Sequence, residues 1–191
     1  MEHMLASRIT KWCMGRSEMS QEQAEAVTYG IELIFNSVFK VVVLVLIGLI
    51  FHRADEVIIG LGCFSLLRSF AGGVHKETNM GCFLSMLLIC VVSSLGAQFI
   101  TYLPIWLMII IAIAVLVLIK LFAPFVTENN PIEDPEILKK KKRGAFILSA
   151  VLLLAVFIIP IWRIKMLILI PVIIETATIL PCWHKNSKTI G

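Results

Sequence analysis

The stretch Arg68-Ser69-Phe70-Ala71-Gly72-Gly73-Val74-His75-Lys76-Glu77-Thr78-Asn79-Met80-Gly81-Cys82 gathers the side chains most able to do chemistry in this chain. A thiol beside an imidazole is an activated nucleophile: the imidazole takes the proton and the thiolate attacks a carbonyl. Spacing decides whether the two can meet. On one continuous helix the seven steps from His75 to Cys82 would separate the Cα atoms by about 10.5 Å, which is too far. Gly72-Gly73 and Thr78-Asn79 argue for a bend instead. Asn79 can then act as N-cap of the next helix, with Cys82 at its third position. Free amides and the positive dipole end stabilise a thiolate there and can hold an oxyanion. His75, on the preceding bend, can fold back as general base. The plainer alternative is a polar turn between two helices, which a lone His–Cys pair does not exclude.

Other reactive residues compare poorly. The five cysteines, at 13, 63, 82, 90 and 182, are odd in number and fit no disulfide framework. Cys63 and Cys90 fall in apolar runs, where a thiol behaves as a small hydrophobe. Cys13 sits on the apolar face of an amphipathic segment. A zinc site from His75, Cys82, Cys182 and His184 would match no familiar ligand spacing, so no metal is expected. Charges inside apolar runs are functional candidates by default. Arg68 leads them, two helical turns before His75 and so able to share its helix face. Glu175 can pair with a basic residue across a bundle. Lys40 and Lys120 also fall in or at the ends of spans, and Lys120 can snorkel to an interface.

The elements that must position these residues follow from composition. Of 191 residues, 59% are hydrophobic and 16% charged, and the mean hydropathy is +0.93. Soluble domains are roughly 45–50% apolar and about 25% charged, so a soluble enzyme is excluded, and disorder with it. A transmembrane barrel would alternate apolar and polar residues; here the apolar runs are continuous. The expected fold is all-α, a polytopic membrane helical bundle. At about 20 residues per span the length allows roughly six helices.

Residues 1–30 read as an amphipathic N-terminal segment and 31–182 as the helical bundle of a single membrane domain. Within the segment, Met4, Leu5, Ile9, Trp12 and Cys13 recur at helical spacing, as in an interfacial helix. Glu18, Glu22 and Glu25 argue against a signal peptide. Ser20-Gln21-Glu22-Gln23 resembles a capping box. Spans are expected near Leu33–Phe51, Val57–Phe70, Cys82–Tyr102, Pro104–Phe122, Ala145–Trp162 and Met166–Leu180, with a polar loop at Val126–Arg143. The second is short enough to be re-entrant.

Basic residues set the orientation. With both termini in the cytoplasm, the inner segments hold Arg8, Lys11, Arg16, Lys76, the run Lys139-Lys140-Lys141-Lys142-Arg143, Lys185 and Lys188. The outer segments hold Arg53, Arg163 and Lys165. The run is most simply a topology anchor, with a second role in attracting an anionic peptide or lipid. Nucleic acid is not an expected partner.

The pattern Arg-x4-Gly-x-His-x6-Cys, here Arg68, Gly73, His75 and Cys82, resembles the core of the accessory gene regulator B (AgrB) family, bacterial membrane cysteine endopeptidases of peptide quorum sensing. Ala123-Pro124-Phe125-Val126-Thr127-Glu128-Asn129-Asn130-Pro131-Ile132, followed by Lys and Arg, resembles that family's Ala-Pro…Asn-Lys-Pro loop, with Asn130 where a basic residue is common. The likeness covers nearly the whole chain in length and span order.

This resemblance implies an enzyme that cuts the C-terminal part from a small amphipathic, AgrD-like propeptide. The cysteine is acylated, and a Cys or Ser of the propeptide then closes a thiolactone or lactone ring. It makes Cys82 the nucleophile and His75 the base. Arg68 and Gly73 support them, and Asn79 is kept beside them as a neighbour in sequence. It implies no cofactor, a cell-membrane location with the site at the cytoplasmic face, contact with membrane lipids, and leaves a homodimer open. The competing class is a small non-enzymatic transporter or structural bundle subunit. In that class His75 and Cys82 would be replaceable.

Overall fold

The computed structural model describes residues 21–72, 79–125 and 134–180. The chain divides into two units, residues 1–50 and 51–191. In the first, helix α1 runs unbroken over Gln21–Ile50. Its polar residues pass directly into the apolar stretch Gly30–Ile50. Residues 21–30 thus belong to the first long helix. Residues 3–20 lie outside the described residues.

The second unit holds α2 (Ala54–Ala71), α3 (Asn79–Phe99), α4 (Ile105–Phe122), α5 (Pro135–Ile158) and α6 (Trp162–Thr178). Three helices, α1 over Gly30–Ile50, α3 over Met80–Phe99 and α4, are long and apolar enough to cross a membrane. The others fall short of that standard for visible reasons. α2 carries Asp55, Glu56 and Arg68; the first turns of α5 are basic; α6 has 17 residues and carries Arg163, Lys165 and Glu175. α2 is nevertheless one unbroken helix whose two ends meet different clusters, with no doubling back.

Two boundaries differ from expectation. The basic run is helical, because Asp134 caps α5 by accepting from the Glu136 amide at 2.8 Å and Pro135 occupies the first helical position. α5 ends at Ile158 and α6 starts at Trp162, because Pro160 disfavours helical backbone at Ile159, which is extended.

α6 is the central helix of this unit and packs on α2, α3 and α5. Met166, Leu167, Ile168, Leu169, Val172 and Glu175 are all buried, the all-round burial of a helix enclosed by others. Small residues allow close approach where apolar surroundings supply little drive for helices to associate. Gly144 of α5 receives the Phe70 ring of α2, Gly96 of α3 receives Ile170 of α6, and Gly60 of α2 faces Ser93 and Pro171. Outward, α4 exposes Ile109, Ile110, Ile113, Val117 and Leu121, a surface suited to lipid.

Polar groups collect at the two ends. At one, the buried Glu56 carboxylate accepts from Arg53 (2.6 Å), from Arg163 Nε (2.8 Å) and Nη2, and from Ser94. This ties the starts of α2 and α6 to the last turns of α3. Trp162 donates its indole N–H to the Ile100 carbonyl and stacks on Tyr102 with centroids 6.4 Å apart. The opposite end carries Arg68, Glu175, the end of α4 and the starts of α3 and α5.

Candidate active site

α2 stops because Gly72 turns the chain. Its amide caps the helix by donating to the Arg68 carbonyl at 2.9 Å, and its backbone then adopts φ 75° and ψ −150°. That conformation is essentially restricted to glycine. A side chain at Gly72 would also run into the Phe125 carbonyl. Phe125 lies there because its amide donates to the Ala71 carbonyl at 2.8 Å, and Gly72 and Phe125 form a parallel bridge. Ala71 and Ala123 are buried beneath this junction, and the Ala123-Pro124 peptide is cis. The two stretches singled out in the sequence, one opening at Arg68 and the other at Ala123, are therefore joined by backbone.

Arg68 occupies the last turn of α2, one side of the junction. Its guanidinium packs over the Phe64 ring at 5.4 Å, and Nη1 lies 3.6 Å from Glu175 Oε2. The Arg68 side chain is 23% exposed and that of Glu175 is 0% exposed. The Thr178 hydroxyl donates to the Glu175 carbonyl at 2.8 Å and lies 3.2 Å from Oε2. Glu175 Oε1 is buried and has no hydrogen-bond partner among the described residues. The approach of the two side chains links α6 to α2 at this end.

Cys82 lies in the first turn of α3 and is partly exposed. The described part of the helix includes Asn79, and its capping role falls on residues outside the described ones. Ser85, one turn on, donates to the Gly81 carbonyl at 2.8 Å. Gly73 and His75 lie outside the described residues, as does the side chain of Asn79. α2 ends at Ala71, and the expectation that Arg68 and His75 share a helix face falls on a residue outside the described ones. Cys63 is partly buried against the core and Cys90 is buried, as expected of packing thiols. Of the four residues weighed for zinc, His75, Cys182 and His184 lie outside the described residues, and no metal-binding cluster occurs among the described ones.

The model of the family described as accessory gene regulator B matches residues 4–179, the junction and both stretches included. This chain belongs to the accessory gene regulator B family. An AgrB-like protein of Clostridium acetobutylicum is 33% identical over 158 residues, which cover 82% of this chain and 74% of that one. An AgrB-like protein of Lactiplantibacillus plantarum is 28% identical over 149 residues, 78% of this chain and 74% of that one. Accessory gene regulator protein B of Staphylococcus lugdunensis is 26% identical over 184 residues, 95% of each chain. No solved structure matches. Membership gives the chain a role in the accessory gene regulator system, and its three long apolar helices fit a membrane protein.

Within this AgrB chain, the Gly72–Phe125 junction is the feature the sequence reading missed. Its signals were present as Gly72-Gly73 and Ala123-Pro124, but a contact between residues so distant in sequence leaves no periodicity to read.

Proposed function

We propose that this protein is a membrane-embedded cysteine endopeptidase of peptide quorum sensing, which cleaves a small amphipathic propeptide and passes its acyl group on to form a ring. The observation that supports this most is the position of Cys82, partly exposed in the first turn of an apolar helix, in a chain of this family.

In this reading His75 takes the Cys82 proton and the thiolate attacks the scissile carbonyl. A tetrahedral oxyanion forms within reach of the α3 amides. Its collapse breaks the C–N bond, His75 returns the proton to the leaving amine, and a thioester to Cys82 remains. A thiol or hydroxyl of the bound propeptide then attacks that thioester. The ring closes as a thiolactone or lactone, and Cys82 is released as the thiol. Ring closure exchanges one acyl link for another without a cofactor. Partial exclusion of water from a site at the membrane surface favours it over hydrolysis.

Arg68 acts here as a positioning residue. Glu175 holds its side chain from α6, and its carbonyl caps Gly72, where the segment carrying Gly73 and His75 leaves the helix. All six apolar segments cross the membrane, and the basic residues put both termini and the site on the cytoplasmic side. The propeptide reaches the site from there.

The acyl-enzyme tests this reading. Purified protein is incubated with a propeptide whose ring-closing residue is replaced by alanine. A covalent adduct should accumulate on Cys82 and be released by hydroxylamine. Cleavage without any adduct on Cys82 would contradict the mechanism.

A further inference from the structure

Pro171 lies inside α6, the central helix of its unit, and is fully buried. Proline has no N–H, and its ring stands against the carbonyl four residues back. The carbonyl of Leu167, a buried residue, therefore lacks the donor that any other residue at 171 would supply. A buried carbonyl needs a partner. Proline is tolerated in an enclosed apolar helix where a neighbouring hydroxyl or an ordered water supplies one.

A second buried polar group stands at the same level. Ser93 of α3 is 0% exposed, and its Oγ has no hydrogen-bond partner among the described residues. Other hydroxyls on these helices behave differently. Ser69, Ser85, Ser149, Thr176 and Thr178 each donate to a carbonyl three or four residues back in their own helix. Ser93 instead faces Gly60 of α2 and Pro171 of α6. Gly60 sets the space between them. A methyl group on Gly60 would lie 3.6 Å from Ser93 Cβ and 3.8 Å from both Ser93 Oγ and Pro171 Cγ, ordinary contact distances. At Gly96 and Gly144 the corresponding space is taken by Ile170 and Phe70. A water molecule, with a share of about 30 Å³ in the liquid, is of methyl size. From the methyl position a shift of about 1 Å toward Oγ brings it to hydrogen-bond distance.

We infer that Gly60, Ser93 and Pro171 enclose a binding site for one buried water molecule, which donates to the Leu167 carbonyl and pairs with the Ser93 hydroxyl. The water gives the freed carbonyl a donor and the hydroxyl a partner. It links α3 to α6 at the level where α6 lacks a hydrogen bond of its own. Glycine at 60 leaves it room. The inference is independent of the peptidase reading.

The test reads thermal unfolding of the full-length protein in detergent, where the sign of each change decides. Alanine in place of a hydroxyl buried without a partner should stabilise; in place of one that holds a water on a carbonyl it should destabilise. Ser93→Ala should therefore unfold about 3 °C lower or more. Gly60→Ala should also unfold lower, because its methyl takes the place of the water, although alanine is the better helix former and fits sterically. The two losses should not add, since either change removes the same water. Pro171→Ala returns an amide donor to Leu167, and in that background Gly60→Ala should no longer lower the unfolding temperature. An unchanged or raised unfolding temperature for Ser93→Ala or Gly60→Ala would overturn the inference. So would additive losses, or a Gly60→Ala loss that persists in full beside Pro171→Ala. Should a variant fail to fold, an experimental density map of the wild type fine enough to show ordered water decides. Water density within about 3 Å of both Ser93 Oγ and the Leu167 carbonyl oxygen is expected. A direct hydrogen bond from Ser93 to Leu167, or Ser93 turned back to the Ile89 carbonyl with no water between the helices, would overturn it equally.

Discussion

Arg68 of α2 and Glu175 of α6 face each other beside the Gly72–Phe125 junction, Nη1 lying 3.6 Å from Oε2, with the carboxylate fully buried. Breaking such a pair leaves an uncompensated charge, while replacing both partners by apolar residues of similar volume is often neutral. Glu175→Ala should therefore lower the unfolding temperature in detergent, and Arg68→Met/Glu175→Met should recover most of it. If Arg68 is part of the site, the double variant should remain unable to cleave although it is stable. Arg68→Lys should fold and insert but cleave at least about tenfold less, the equivalent of losing one charge-assisted hydrogen bond of about 1.5 kcal/mol. Full activity of Arg68→Lys would reduce Arg68 to an anchor of α2.

The junction itself is tested at Gly72. Alanine there meets both a strained φ of 75° and the Phe125 carbonyl, so Gly72→Ala should destabilise by about 1–3 kcal/mol and reduce cleavage. Gly62→Ala, on the same helix with open space around its Cβ position, should be neutral or stabilising by about 0.5–1 kcal/mol. Thermal unfolding of the two variants side by side separates the loss of a special conformation from a general intolerance of alanine.

At the opposite end, acid should loosen the bundle through Glu56, which stands just before the apolar stretch of α2. Burial raises its carboxyl, but hydrogen bonds from Ser94, Arg53 and Arg163 outweigh that and hold it below the usual Glu value. A depressed folded pKa adds stability at pH values above the unfolded pKa, and that stability is lost as pH falls through the folded value. Unfolding temperature should therefore fall in acid below the ordinary Glu range. Glu56→Gln should be less stable at neutral pH and show a weaker acid dependence. An unchanged acid limb in Glu56→Gln would assign the effect to other carboxylates.

The helix order and the apolar segments were legible because a membrane helix is a long continuous run, which any reading of composition finds. Glu175 was marked in advance for the same reason: a carboxylate in such a run must find a cation. Three things were not legible. The helical start of α5 was hidden because a lysine run reads as loop until Asp134 and Pro135 are recognised as its cap. The Glu56 cluster was missed because Arg163 was counted only as a charge in an outer loop, while its partner lies 107 residues away. The role of Gly72 was missed because its positive φ accompanies the approach of Phe125, which no local pattern reveals.

Thiol chemistry distinguishes the cysteines. Cys82 is partly exposed at a helix start and Cys90 is buried in the same helix. Cys82 should be alkylated in the folded protein, and Cys90 should stay unmodified until the protein unfolds. An impermeant reagent should label Cys82 in inverted vesicles and not in intact cells, which checks the proposed orientation. Labelling of Cys82 in intact cells would reverse it.

The central claim is that Cys82 is the nucleophile of propeptide cleavage. Co-expression with the cognate propeptide, read by mass spectrometry, addresses it directly. Wild type should yield a shortened peptide lighter by one water than the corresponding linear fragment, as ring closure requires. Cys82→Ala should insert normally and yield only intact propeptide. Cys82→Ser should lose at least about 10³-fold, because a hydroxyl lacks the thiolate's nucleophilicity, while Cys63→Ala and Cys90→Ala keep activity. Cyclic product from well-inserted Cys82→Ala would contradict the account.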